Sequence, residues 1–130
     1  MGDLQELTFL LDESIPKPVA TSLKALKIGR VAHFLDLELG GVDDSEWLCQ
    51  LSGHRLVVLT NNYRILYVPR EKQALLASDL GLITTKSGQK KIWEQARDIL
   101  QHWDKISACA EEARPFAYKL TKTTFEPHDL

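Results

Sequence analysis

The chain has 130 residues, 44% of them hydrophobic and 26% charged, and a formal net charge of −2. That length suits one domain with an adequate core and no need of disulfide staples. The charge balance excludes a global basic field for nucleic acid, leaving only local patches, and no apolar run approaches the roughly 20 residues of a membrane-spanning helix.

The opening Met1-Gly2-Asp3-Leu4-Gln5-Glu6 is polar and acidic, unlike a secretory leader. Leu7 to Leu11 is a short apolar run, the first expected strand, and it stops at Asp12-Glu13. Ser14 is placed to cap a helix with Pro16 in its first turn, and Val19, Ala20, Leu23 and Leu26 recur at helical spacing. Gly29 ends that helix, and Val31 to Leu35 is a second strand, on which His33 reads as a satisfied core histidine. After Gly40-Gly41, Asp43 or Asp44 caps a second helix with Trp47, Leu48 and Leu51 inward, and Gly53 closes it. Leu56 to Leu59 is continuously apolar, as in a strand buried on both faces.

Pro69 opens a third helix reaching about Leu80, with Ala74, Leu75, Leu76 and Leu80 inward, and Gly81 separates it from a strand at Leu82 to Thr85. Ile92, Ala96, Ile99, Trp103, Ile106, Ala110 and Ala113 form one apolar stripe of a long last helix, widened by Trp93 and Leu100. On this reading Trp47, Trp93 and Trp103 are all core. Pro115 breaks the pattern before a half-exposed strand over Phe116 to Thr121, and the polar tail after Thr123 is expected to fray. Cys49 and Cys109, without a CxxC partner and inside helical patterns, read as reduced core thiols of a cytoplasmic protein.

Strands alternating with helices predict an α/β single domain, a mostly parallel central sheet with helices on both faces. With right-handed crossovers, every strand's carboxyl end then lies on one edge. Asp12, the Gly40 to Asp44 loop and Asn61-Asn62 all follow strand ends or open the next helix, so they converge there although far apart in sequence.

Three segments carry a resemblance. Leu10-Leu11-Asp12-Glu13-Ser14-Ile15-Pro16, then Gly41-Val42-Asp43-Asp44-Ser45-Glu46-Trp47-Leu48, then Val57-Val58-Leu59-Thr60-Asn61-Asn62-Tyr63-Arg64-Ile65 are similar to the blocks of a PIN-like domain. The nearest branch is that of VapC-type toxin ribonucleases, which Arg114-Pro115-Phe116-Ala117-Tyr118 also resembles. The resemblance spans residues 1–125 as one domain, leaving 126–130 as a tail. It implies a metal-dependent endoribonuclease, the toxin of a toxin–antitoxin pair, with Mg2+ or Mn2+ as cofactor. RNA would be the substrate, an antitoxin protein or a second copy of the chain a candidate partner, and no membrane is involved.

The resemblance places Asp12, Asp44 and Asn62 at the catalytic edge, with Asp12 and Asp44 as metal ligands. In many relatives the third block reads Thr-Arg-Asp, so Asn62 stands where an aspartate would, and Arg64 where some relatives carry one more acid. An amide oxygen can coordinate Mg2+ but brings no charge. One charge at ~4 Å and an effective dielectric of ~20 is worth roughly 4 kcal/mol, so the loss weakens the ion's hold. Asp43 or Glu46 could assist. Arg64, Arg70 and Lys72 with Tyr63 and Tyr67 interleaved suit phosphate contacts and base stacking, and Lys86, Lys90 and Lys91 form a second basic cluster.

Structural readings stand beside these. Asp12, Asp43 and Asp44 are good helix caps, Asn61 and Asn62 are good turn residues, and Glu13 suits a solvated surface. A PIN-like domain without catalysis, binding RNA or protein, is the alternative function. A receiver-like or nucleotide-binding domain is weaker, because no glycine-rich phosphate loop follows the first strand.

Overall fold

The computed structural model describes residues 4–86 and 89–130. The polar opening at Met1 to Asp3 lies outside the described residues. After a 3-10 turn at Leu4–Glu6, the elements run β1 (Phe9–Leu11), α1 (Lys17–Ala25), β2 (Val31–His33), a 3-10 helix at Phe34–Leu37 and α2 (Asp44–Leu51). Next come β3 (Val57–Thr60), a 3-10 helix at Tyr63–Leu66, α3 (Pro69–Leu76) and β4 (Gly81–Thr85). The chain ends with α4 (Ile92–Gln101), α5 (Trp103–Cys109), β5 (Phe116–Leu120) and β6 (Phe125–Pro127).

The six strands form one sheet in the order β2-β1-β3-β4-β5-β6, parallel throughout except for the antiparallel β5–β6 pair. Residues alternate strictly between its faces. Phe9, Leu11, Val57, Leu59, Ile83 and Phe116 meet Val19 and Leu23 of α1, Ile99 of α4 and Trp103 and Ile106 of α5. Leu10, Val58, Leu82 and Ala117 meet Trp47, Leu48 and Leu51 of α2 and Leu75 of α3. The α/β sandwich expected from the alternating elements is the fold observed.

The connections β1→β2 and β4→β5 are both bridged on the first face yet step in opposite directions across the sheet. They are therefore of opposite hand, and the right-handed rule does not cover both. The physical reason is coverage. With α2 and α3 on the second face, only short α1 and the α4–α5 pair remain to cover the first.

Several local expectations are corrected. The last helix is not one stripe but two helices meeting at His102, whose Nε2 donates to Thr121 O at 2.9 Å while Trp103 Nε1 donates to Ile28 O at 3.1 Å. Trp93 is 59% exposed rather than in the core, because α4 buries the face of Gln95, Asp98 and Ile99. The third helix stops at Leu76, which is exposed, and Gly81 lies in the strand, where a Cβ would run into the Phe116 ring. The tail is not frayed: β6 pairs with β5, and Phe125 stacks on Tyr118 with centroids 4.5 Å apart. Cys49 is exposed, whereas Cys109 is buried, its thiol pushed up to about 12 chiefly by that burial. His33 is the satisfied core histidine expected, donating from Nε2 to Ile15 O at 2.7 Å and accepting from Leu35 N at Nδ1. Among the described residues no helix is long and apolar enough to cross a membrane.

Candidate functional site

In an open parallel sheet, ligands bind outside the carboxyl ends of the strands where the chain reverses its direction of travel across the sheet. Here the chain goes from β1 to β2 on one side and then returns to β3 on the other, so the switch point lies between β1 and β3. Asp12 directly follows β1, and Asn61 and Asn62 directly follow β3. The backbone ties these ends together, because Asp12 N donates to Leu59 O at 3.0 Å.

Asp12 is 4% exposed. Its Oδ1 accepts from Ser14 N at 3.1 Å and from the Ser14 hydroxyl, and its Oδ2 accepts from Thr60 Oγ1 at 2.5 Å. Burial raises its pKa above the ordinary 3.8; the Ser14 and Thr60 bonds oppose that rise and the nearby Asp44 charge adds to it. Ser14 is not the cap expected of it, since Pro16 occupies that position. Instead its hydroxyl accepts from Asn61 N at 2.9 Å and its carbonyl from Asn61 Nδ2 at 2.9 Å, which stitches the β1 and β3 ends together. Asn61 also donates to Gln95 Oε1 at 3.4 Å and accepts from the Thr85 hydroxyl.

Asp44 opens α2 just after the N-cap position, which Asp43 occupies without a side-chain capping bond. Asp44 Oδ1 accepts from Trp47 Nε1 at 2.8 Å and its Oδ2 from Asn62 Nδ2 at 2.5 Å. Asn62 in turn donates its backbone N–H to Thr60 Oγ1 at 2.9 Å and accepts from Arg64 N at 3.3 Å, so it is a turn residue whose side chain also reaches Asp44. A continuous chain of bonds, Asp12 to Thr60 to Asn62 to Asp44, therefore links the carboxylates.

One acid was not foreseen. Glu71, in the first turn of α3, has its pKa raised by burial, then by hydrogen-bonding contact with and repulsion from Asp44, with Arg64 opposing. In sequence it looks like any first-turn acid facing a helix dipole, and only the packing of α3 beside α2 brings it to Asp44. Of the other acids, Glu13 clasps Gly41 N at 2.9 and 3.0 Å, Asp43 accepts from Ser45 Oγ at 2.8 Å, and Glu46 is exposed with Gln50 as its partner.

The basic residues divide. Arg70 pairs with Asp43 at 3.4 Å, both strongly exposed, a weak tie. Arg64 and Tyr63 are exposed beside the site, while Lys72 is half-buried and its charge acts on His128, away from Asp12. Lys90 is held at 2.6 Å by fully buried Asp98, which also takes Arg97 at 3.1 Å.

The donor set limits what ion could sit here. Among the described residues no group of three or more His, Cys, Asp or Glu is arranged to hold a metal; the acids meet in pairs. An ionised carboxylate has about four acceptor positions. Asp44 uses two of them and Asp12 three. What is left fits a single hard cation that keeps several waters, not the dense cluster that two ions about 4 Å apart require.

The PIN-like domain family model matches residues 7–87, more than half of the chain. The chain belongs to the PIN-like domain family. Comparison with curated proteins gives no match, nor does comparison with solved structures. The match runs from the approach to β1 through β4 and so includes every residue of the Asp12–Asp44 edge. The α4–α5 pair and the β5–β6 hairpin of this PIN-like domain lie beyond it.

Proposed function

We propose that this PIN-like domain is an endoribonuclease of the VapC-like toxin kind, restrained by a protein antitoxin, that cuts RNA at the β1/β3 edge with one Mg2+ or Mn2+. The observation that carries the reading is the chain of hydrogen bonds from Asp12 through Thr60 and Asn62 to Asp44, which brings two carboxylates to one sheet edge. Carboxylates gathered at one edge repel one another unless a proton or a cation offsets their charge. A divalent ion is a natural counter-charge here, since the Asp44 charge already raises the pKa of Asp12. When bound, it would polarise a phosphoryl oxygen and acidify a water.

The chain's own residues supply the rest. Ser14 and Thr60 fix the Asp12 carboxylate in one orientation, and Asn62 and Trp47 do the same for Asp44. The Asn62 amide presents N–H to Asp44, so it withdraws negative charge from the ion site and makes the enzyme a slow one. Exposed Arg64 and Arg70 would bind the phosphates on either side.

The second reading, a PIN-like module that binds without cutting, is favoured by that same Asn62 bond, which places a neutral donor where a third acid would stand. Incubating labelled RNA with the protein in manganese separates the two. Slow cleavage is expected from the native chain, none from Asp12→Asn, at least tenfold less from Asp44→Asn, and weaker RNA binding with chemistry retained in Arg70→Ala. RNA left intact by both the native chain and Asn62→Asp would refute the nuclease and leave the binding module.

A further inference from the structure

We propose that the cleft between the Tyr63–Leu66 turn and strands β4–β6 is a nucleotide subsite, which holds one base of single-stranded RNA beside the cleavage edge. This rests on the reading of the chain as an RNA-processing domain. The cleft measures about 200 Å3, and Tyr63, Tyr67, Thr84, Lys86, Lys119 and Glu126 line it. That is smaller than the ~300–1,000 Å3 of pockets for drug-sized ligands, so it suits one base rather than an oligonucleotide.

Its chemistry is that of a stacking site with cations at hand. Tyr63 and Tyr67 are 47% and 55% exposed, with ring centroids 6.5 Å apart in an edge-on arrangement. Lys86 Nζ lies 5.8 Å from the Tyr63 ring, and Lys119 Nζ lies 5.2 Å from the Tyr67 ring while donating to its hydroxyl at 2.5 Å. Among the described residues neither lysine has a carboxylate at ion-pair distance. The tyrosines are neutral, so a phosphate would be the stronger partner for each lysine. A base would lie on a tyrosine face, as in other sequence-tolerant single-strand sites.

The cleft is connected to the site. A shallower hollow of about 330 Å3 shares Tyr63 and Lys86 with it and is also lined by Asn61 and Gln89. Asn61 is bound to Ser14, which holds Asp12. A strand with its phosphate at Asp12 and Asp44 therefore has a path across Asn61 to Tyr63 and the cleft. At the far wall Glu126 is the register partner of Lys119. Its carboxylate accepts only, so it favours cytosine, whose position 4 carries an amino donor where uracil has an O4 acceptor.

Fluorescence anisotropy with labelled single-stranded RNA hexamers in EDTA tests binding apart from cleavage. The native chain should bind a cytidine hexamer more tightly than a uridine hexamer. Tyr67→Ala and Lys119→Ala should each weaken the cytidine hexamer about tenfold, Tyr67→Phe should stay close to native, and Glu126→Gln should narrow the cytidine preference. Tyr67 is a surface residue, so the melting temperature of Tyr67→Ala should match native. Cytidine monophosphate is the companion probe: a much tighter hexamer identifies a strand, and equal affinities would overturn the strand in favour of a free nucleotide. No binding by the native chain, or native-like binding by both Tyr67→Ala and Lys119→Ala, would overturn the subsite. Hexamer binding in EDTA with no cleavage in manganese would sink the nuclease reading and leave the subsite standing.

Discussion

Replacing Asn62 with aspartate probes the candidate site most directly. The Asn62 amide nitrogen is 2.5 Å from Asp44 Oδ2, and Glu71 already presses on the same carboxylate. Asn62→Asp removes that donor and sets a third negative charge against the other two. Two charges at about 4 Å interact by roughly 4 kcal/mol at an effective dielectric of ~20. Water screens this half-buried site, so the expected loss of ion-free stability is about 1–3 kcal/mol, lost hydrogen bond included. The same charge attracts a divalent ion, and a third of the Coulomb figure already gives about tenfold tighter binding.

Thermal melts in EDTA and in manganese, with calorimetric titration of the ion, measure both effects. The variant should melt below native in EDTA, and manganese should raise it more than it raises native. Repulsion raises the folded-state pKa of the new acid above its unfolded value. The penalty is therefore absent below an unfolded pKa of about 3.9 and develops as pH rises through the folded value, so the two proteins should converge in acid. Equal melting in EDTA together with equal manganese affinity would refute the electrostatic coupling of Asn62 to Asp44 and the ion site with it.

Three further outcomes follow from buried groups. Burial lifts the Asp12 pKa above 3.8 in the folded state, so native stability should fall as pH rises from there through the raised value; Asp12→Asn should lack this slope in urea midpoints taken from acid to neutral pH. At Asp98 burial raises the pKa, but the Lys90 and Arg97 bonds outweigh it and the net shift is downward. That contribution is present at neutral pH and lost as pH falls below 3.8, so Asp98→Asn should cost about 1–3 kcal/mol at pH 7 and flatten the acid limb of denaturation. Gly81→Ala should cost about 1–3 kcal/mol by forcing a Cβ into the Phe116 ring, and Phe116→Leu should recover part of it in the double variant, as read from melting temperatures.

The sequence by itself determined the layer architecture and the residues at the strand ends. Continuous apolar runs such as Val57 to Leu59, flanked by helix signals, suit strands covered on both sides; Asp12 and Asn62 are fixed by where those runs stop, and Asp44 by where α2 begins. Helix stripes and strand ends are local properties, legible over a few residues. Tertiary structure decided what depends on pairing between distant segments. Strand order is such a property, and it alone sets the β1/β3 switch point that joins Asp12 to Thr60. The packing of α3 on α2 turned Glu71 from an ordinary first-turn acid into the neighbour of Asp44. Likewise the bonds of His102 to Thr121 and of Trp103 to Ile28 accompany the break of a stripe that was continuous in sequence. The polar tail became β6 because β5 offered it an edge and Tyr118 a ring to stack on. In each case a free energy from groups tens of residues away outweighed a local preference worth a few tenths of a kcal/mol to ~1 kcal/mol.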